Sequence, residues 1–120
     1  MKTRIEALDK AYENHEYYGD IDMNKTLQTT YLYSLEAGNE LPNFGDVIWD
    51  EDIKTIIADC RKYGITEFTI SSTFSSLIKT IATFEENGCR LDGIVKVNSR
   101  FSDWHTGEKE IIPAFKMIIG

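Results

Sequence analysis

Apolar residues recur at helical spacing in four stretches of the chain and alternate with polar ones in three others. Ile5, Leu8, Ala11, Tyr12 and His15 share one side of a helix expected over residues 3–16, and Tyr17-Tyr18-Gly19-Asp20 breaks it. A second helix is expected to start at Asp20 or Asp22, either of which can cap free backbone N–H groups. It runs to Ala37 with Met23, Leu27, Tyr31 and Leu35 on one stripe. Gly38-Asn39 then stops it, because both residues tolerate left-handed backbone.

Asp50 reads as the cap of a third helix, with Glu51 and Asp52 in the first turn, where the helix dipole favours negative charge. Ile53, Ile56, Ile57 and Cys60 form its buried stripe, and Gly64 ends it. In a fourth helix, Phe74, Leu77, Ile78, Ile81 and Phe84 keep the three-and-four spacing until Asn87-Gly88.

The period changes to two over residues 65–70, where Phe68 and Ile70 oppose Glu67 and Thr69. From Cys89 to Phe101 the odd positions are the more apolar, which indicates a half-buried strand whose second face shows Ile94, Lys96, Asn98 and Arg100. Residues 102–107 form a turn, and residues 110–119 return as the other arm of a hairpin, setting Ile112, Ala114, Lys116 and Ile118 beside that second face. Pro113 lacks a donor, so its strand is expected at a sheet edge or at a bulge.

The resulting order, α-α-α-β-α-β-β, predicts an α+β fold with a three-stranded mixed sheet packed against three to four helices. Its β-α-β unit predicts a parallel pair joined by a right-handed crossover. Residues 1–120 form one domain in this reading. A helical subregion (1–40) joins an α-β-α-β-β subregion (47–120) through Leu41-Pro42-Asn43-Phe44-Gly45.

Composition narrows the class. With 42% apolar, 28% charged and 12% aromatic residues the chain reads as globular and not as disordered. No apolar run approaches the roughly 20 residues that cross a bilayer, and the N-terminus turns acidic too early for a signal peptide. Cys60 and Cys89 read as free, buried thiols of a reducing compartment, so a cytoplasmic location is expected.

Net charge is −7 and lopsided: residues 1–60 carry 13 acidic and 5 basic side chains, and residues 61–120 carry 7 and 8. That balance argues against direct nucleic-acid binding, which needs clustered cations. It leaves two readings open: the acidic helices cover the part-basic second face of the sheet, or the charge serves a basic partner.

From Val47 onward the chain resembles a family of small, uncharacterised proteins of Firmicutes that often travel on plasmids and integrative elements. The resemblance rests on Val47-Ile48-Trp49-Asp50, on residues 64–75 (GITEFTISSTFS), and on Asn87-Gly88-Cys89-Arg90. It continues through residues 96–100 (KVNSR) and 103–108 (DWHTGE), covering about the last 75 residues. It implies a bacterial, mobile-element setting and carries no catalytic residues over.

The candidate sites follow. Asp46, Asp50, Glu51 and Asp52, flanked by Phe44 and Trp49, form the densest acidic group, which either caps a helix start or presents carboxylates to a partner or a divalent cation. Asp103, Trp104 and His105 share a hairpin tip with Arg100 at its base, the composition of an interaction hot spot or of a Trp folded back on the core. Ser71, Ser72, Thr73 and Ser75 lie between a strand and a helix, where they either cap the helix or, with Arg100 or His105 assisting, hold an anion. His15, Cys60, Cys89 and His105 lack the short pairing of a zinc site, and no metal or other cofactor is expected.

With no catalytic constellation, the expectation is a non-enzymatic protein-binding or regulatory domain. Its sharper form is an anti-CRISPR-like inhibitor of a basic nucleic-acid-handling partner. The alternative is a small-ligand or phosphate-binding module at residues 71–76. A homodimer through the strand that carries Pro113 is a third expectation.

Overall fold

The computed structural model describes residues 4–14, 21–72, 75–102 and 105–120, and for residues 100–102 and 109 it describes the main chain alone. Four helices and four strands follow one another as α1 (Glu6–Asn14), α2 (Lys25–Ala37), β1 (Asn43–Phe44), α3 (Asp50–Lys62), β2 (Glu67–Ile70), α4 (Leu77–Glu86), β3 (Cys89–Ser102) and β4 (Lys109–Ile119). The fold is α+β, and its mixed sheet has four strands in the order β1-β2-β4-β3, one more than the periodicity indicates. The added strand is β1. Only two residues long, it lies inside the stretch that reads as a linker and pairs parallel with β2 through Asn43–Thr69 and Phe44–Ile70.

Side-chain chemistry sets the helix ends. Asn24, not Asp20 or Asp22, caps α2, its Oδ1 accepting from the Leu27 N–H at 3.1 Å. Asp22 instead meets Lys62 at 3.0 Å, and Asp20 lies outside the described residues. Gly38 takes φ 77°, which lets its own N–H and that of Asn39 bond back to the Leu35 and Ser34 carbonyls and close the C-terminus of α2. Helix α3 starts one residue earlier than its acidic cluster suggests: Trp49 occupies the cap position with no side-chain cap bond, and Asp50 is the first helical residue.

The core gathers one side of each helix on one sheet face. Leu27 and Tyr31 of α2, Ile53, Ile56, Ile57 and Cys60 of α3, and Phe84 of α4 pack with Phe68, Ile70 and Met117. Ile78, expected on the buried stripe of α4, is 86% exposed, because Thr80 and Phe84 set the inward direction of that helix. Tyr31 anchors α1: its hydroxyl donates to Asp9 Oδ1 at 2.7 Å and accepts from the Ile5 N–H at 2.9 Å, while Arg4 pairs with Asp9 at 3.0 Å.

Three expectations about the sheet are corrected. Strands β2 and β3 run in the same direction but are not neighbours, because β4 enters between them, antiparallel to both. The parallel neighbours are β1 and β2. Second, Asp92 is an extra residue between the Leu91–Met117 and Gly93–Lys116 pairs, at a bulge where Gly93 takes φ 124°.

A one-residue insertion exchanges the two faces of a strand. Ile94, Lys96 and Asn98 therefore stand opposite Phe115, Pro113 and Ile111, and not beside Ile112, Ala114 and Lys116. The acidic helices do not cover that face: Ile94 and Ile111 remain exposed. Lys116, on the other face, finds its carboxylates in Glu67 at 3.5 Å and Asp92 at 3.6 Å.

Third, Pro113 lies in an inner strand, and the sheet ends on β1 and on the much longer β3. The Ile119 N–H bonds to the Thr66 carbonyl, so alternation turns the nitrogens of residues 117, 115 and 113 toward the same side. Strand β2 ends opposite Phe115. The missing donor of Pro113 thus falls just where β4 has lost its neighbour, a local edge within an inner strand.

Burial, followed by the Asp9 hydrogen bond and charge, pushes the Tyr31 hydroxyl from 10.0 up to about 12. A folded-state value above the unfolded one stabilises fully below pH 10 and fades as the pH rises from there toward 12. Tyr31→Phe is expected to lower the unfolding free energy by about 1–2 kcal/mol at neutral pH. It should also flatten the loss of stability between pH 10 and 12, read from urea titrations across that range.

Candidate functional site

Helix α2 carries charge only at Lys25 and Glu36, an unusual run for a helix with a solvent side. Its apolar stripe enters the core. A second stripe, Thr26, Thr29 or Thr30, Tyr33 and Ala37, repeats at the same spacing and faces a groove of about 560 Å³. The opposite wall is Asn43 of β1 and the chain leaving that strand (Gly45, Asp46, Val47 and Trp49) together with Ser71. The far ends of β3 and β4 close it with Asn98, Ser99, Glu110 and Ile112.

Local backbone explains which groups reach this groove. Between β1 and α3 the chain alternates: Ile48 turns inward and is 3% exposed, while Val47 and Trp49 turn out at 44% and 63%. Tyr33, 40% exposed, supplies a second ring from α2. A dense polar network then fixes the wall. The Asn43 N–H donates to Ser34 Oγ at 2.8 Å, Asn43 Nδ2 donates to Ser71 Oγ at 2.9 Å, and Thr69 Oγ1 donates to Asn43 Oδ1 at 2.8 Å. The buried Ser72 hydroxyl reaches the carbonyl oxygens of Phe44 at 2.9 Å and Asp46 at 2.6 Å and so holds the exit loop of β1.

The groove unites residues expected at two different sites. Asp46 and Trp49, from the acidic candidate, line it together with Ser71, from the anion candidate. Asp50, Glu51 and Asp52 stand on the adjacent first turn of α3 without lining it, and Lys79 neutralises Asp50 at 3.2 Å.

The described members of the anion candidate do not gather at a helix start. Helix α4 begins only at Leu77, residues 71–76 separate it from β2, and Ser76, not Ser71 or Ser72, is its cap residue. Ser72 is committed to two carbonyls, and Ser75 is exposed away from the groove. Thr73, Asp103, Trp104 and the Arg100 side chain lie outside the described residues, and His105 is exposed and does not line the groove.

Both thiols are buried. Burial pushes Cys60 up to about 12, with the nearby Cys89 adding to the rise, and burial also raises Cys89, so both stay protonated and unreactive at neutral pH. Among the described residues no group of three or more His, Cys, Asp and Glu side chains could hold a metal, and no helix is long and apolar enough to cross a membrane. His15 lies outside those residues.

Residues 26–119, which include every groove wall but Lys25, match the profile of a family described as a domain of unknown function, DUF7698. The chain belongs to the DUF7698 family. It is also 26% identical over 92 residues to a protein of Listeria innocua serovar 6a named 1,2-beta-oligoglucan phosphorylase. That similarity covers 76% of this chain and 8% of the phosphorylase, so the chain spans a small part of that relative's length. No solved structure matches the domain.

The groove residues on α2, Asn39 and Asn98 escape a search for charged or nucleophilic motifs. A hydroxyl-rich helix face almost without charge is the signal that marks them. Ser72→Ala, which removes the tether on the β1 exit loop of the DUF7698 domain, is expected to destabilise it by about 1–2 kcal/mol and to lower Tm in a thermal melt.

Proposed function

We propose that this domain is a non-catalytic binding module for a neutral, polyhydroxylated ligand, an oligosaccharide, held in the groove between α2 and the β1 exit loop. The observation that carries this reading is the groove's composition. Two exposed rings, Trp49 and Tyr33, stand over walls of hydroxyls and amides. The C–H faces of a pyranose pack flat on an aromatic ring, while its equatorial hydroxyls need nearby donors and acceptors, and such a groove meets both needs at once. A volume of about 560 Å³ falls within the range of ligand sites. Similarity to part of a protein named for a β-1,2-glucan supports the choice of β-1,2-gluco-oligosaccharides as the first ligands to try.

A second reading keeps the acidic corner as a docking surface. Trp49 and Glu51 are exposed there beside Asp46, which suits a basic protein partner, in its sharpest form the target of an anti-CRISPR-like inhibitor. Salt separates the two, because a neutral sugar binds independently of ionic strength and a charged surface does not. Capture of a purified basic nuclease that weakens steeply with added salt would carry this reading, and salt-resistant capture contradicts it.

Isothermal titration with β-1,2-gluco-oligosaccharides is expected to give saturable binding to the wild-type domain. Trp49→Ala should weaken it about tenfold, roughly 1.4 kcal/mol. Gly45→Leu should abolish it at unchanged Tm, because a Cβ there meets nothing closer than Ser71 Oγ at 3.8 Å and a longer side chain fills the groove. Binding that ignores both substitutions places the sugar elsewhere.

A further inference from the structure

Asn39, two residues beyond the end of α2, is buried, and its side-chain amide bonds the main chain of a distant strand. Its Nδ2 donates to the Asn98 carbonyl at 2.8 Å, and its Oδ1 accepts from the Asn98 N–H at 2.7 Å. Asn98 Nδ2 adds a bond to the Ala37 carbonyl at 3.2 Å. Alternation along β3 turns the main chain of Asn98 away from β4, toward the open side of the sheet. The Asn39 amide therefore takes the place of a neighbouring strand at that one residue.

Everything beyond Phe115 in β4, and the part of β3 paired with it, lacks support from β2. This outer ribbon supplies one wall of the groove (Asn98, Ser99, Glu110 and Ile112), while Tyr33, Gly45, Trp49 and Ser71 belong to the body.

We infer that the outer β3–β4 ribbon is a strap and that Asn39 is the positioning residue whose latch on Asn98 builds the binding groove. The inference rests on the glycan reading of that groove. A ligand that touches both walls binds only the latched state, so its apparent affinity scales with the latched fraction, and its binding holds the strap down.

Amide hydrogen exchange and calorimetry on the same samples test this, with β-1,2-gluco-oligosaccharide as the probe. In Asn39→Ala, exchange should accelerate over residues 94–99 and 109–114 while the amides of α3 and β2 keep their protection. The affinity should fall about tenfold, and saturating sugar should restore protection to the ribbon. Asn98→Ala, which keeps both main-chain bonds to Asn39 and loses the bond to Ala37 and one amide of the groove wall, should leave ribbon exchange closer to wild type than Asn39→Ala does.

Acceleration throughout the molecule would make Asn39 a general stability residue and overturn the inference. So would weaker binding without faster ribbon exchange, which makes Asn39 a simple ligand contact, and so would a faster ribbon with unchanged affinity. If the wild type binds no sugar, the glycan reading falls on its own. Exchange then decides the strap: acceleration confined to the ribbon upholds it, and its absence rejects it.

Discussion

An 11-residue strand that meets only a four-residue neighbour has to find other partners for the rest of its length, and this mismatch between β4 and β2 organises the molecule. Over residues 115–118 strand β4 is an ordinary inner strand, paired on both sides above the core. Before that its β2-facing side is open, Pro113 removes the donor that would be orphaned there, and Asn39 ties down the paired strand β3 from its outer side. The ends of β3 and β4 that lack β2 line one side of the groove.

Several polar side chains in and beside that groove have structural duties as well. Ser34 joins α2 to β1, Asn43 joins β1 to Ser71 and Thr69, and Ser72 holds the loop that presents Trp49. The wall is thereby fixed before any ligand arrives, which limits the ordering that binding has to offset.

Charge plays a smaller part than a net value of −7 suggests. Asp9 pairs with Arg4, Asp22 with Lys62, and Asp59 accepts from the Asn24 N–H. The acidic half is thus partly satisfied within itself and by the last turn of α3, and the lysine of the inner sheet strand draws its carboxylates from the second half.

What could be read from the chain divides along physical lines. The buried stripe of α3 and the stop at Gly38 are local consequences of spacing and backbone freedom, and the structure follows them. Bulge, strand order and β1 are not local. Asp92 looks like any polar member of an alternating run, and only pairing with β4 reveals it as the extra residue that exchanges the faces. Two residues of β1 carry no periodicity of their own; Phe44 becomes a strand residue because α2 and β2 flank it. Of the candidate site residues, Asp46, Trp49 and Ser71 were visible as types, but the site that unites them depends on tertiary placement. The hydroxyl stripe of α2 was masked by the apolar stripe beside it.

The central claim is that a sugar binds in this one groove and touches both of its walls. Its most direct test is a titration of isotope-labelled protein with β-1,2-gluco-oligosaccharide, followed by amide and indole chemical shifts. The account predicts saturable shifts confined to Thr26, Tyr33, Gly45, Asp46, the Trp49 indole, Ser71, Asn98 and Ser99, with α3 and α1 silent. Shifts that cluster around Ile94 and Ile111, or none at saturating sugar, would contradict it.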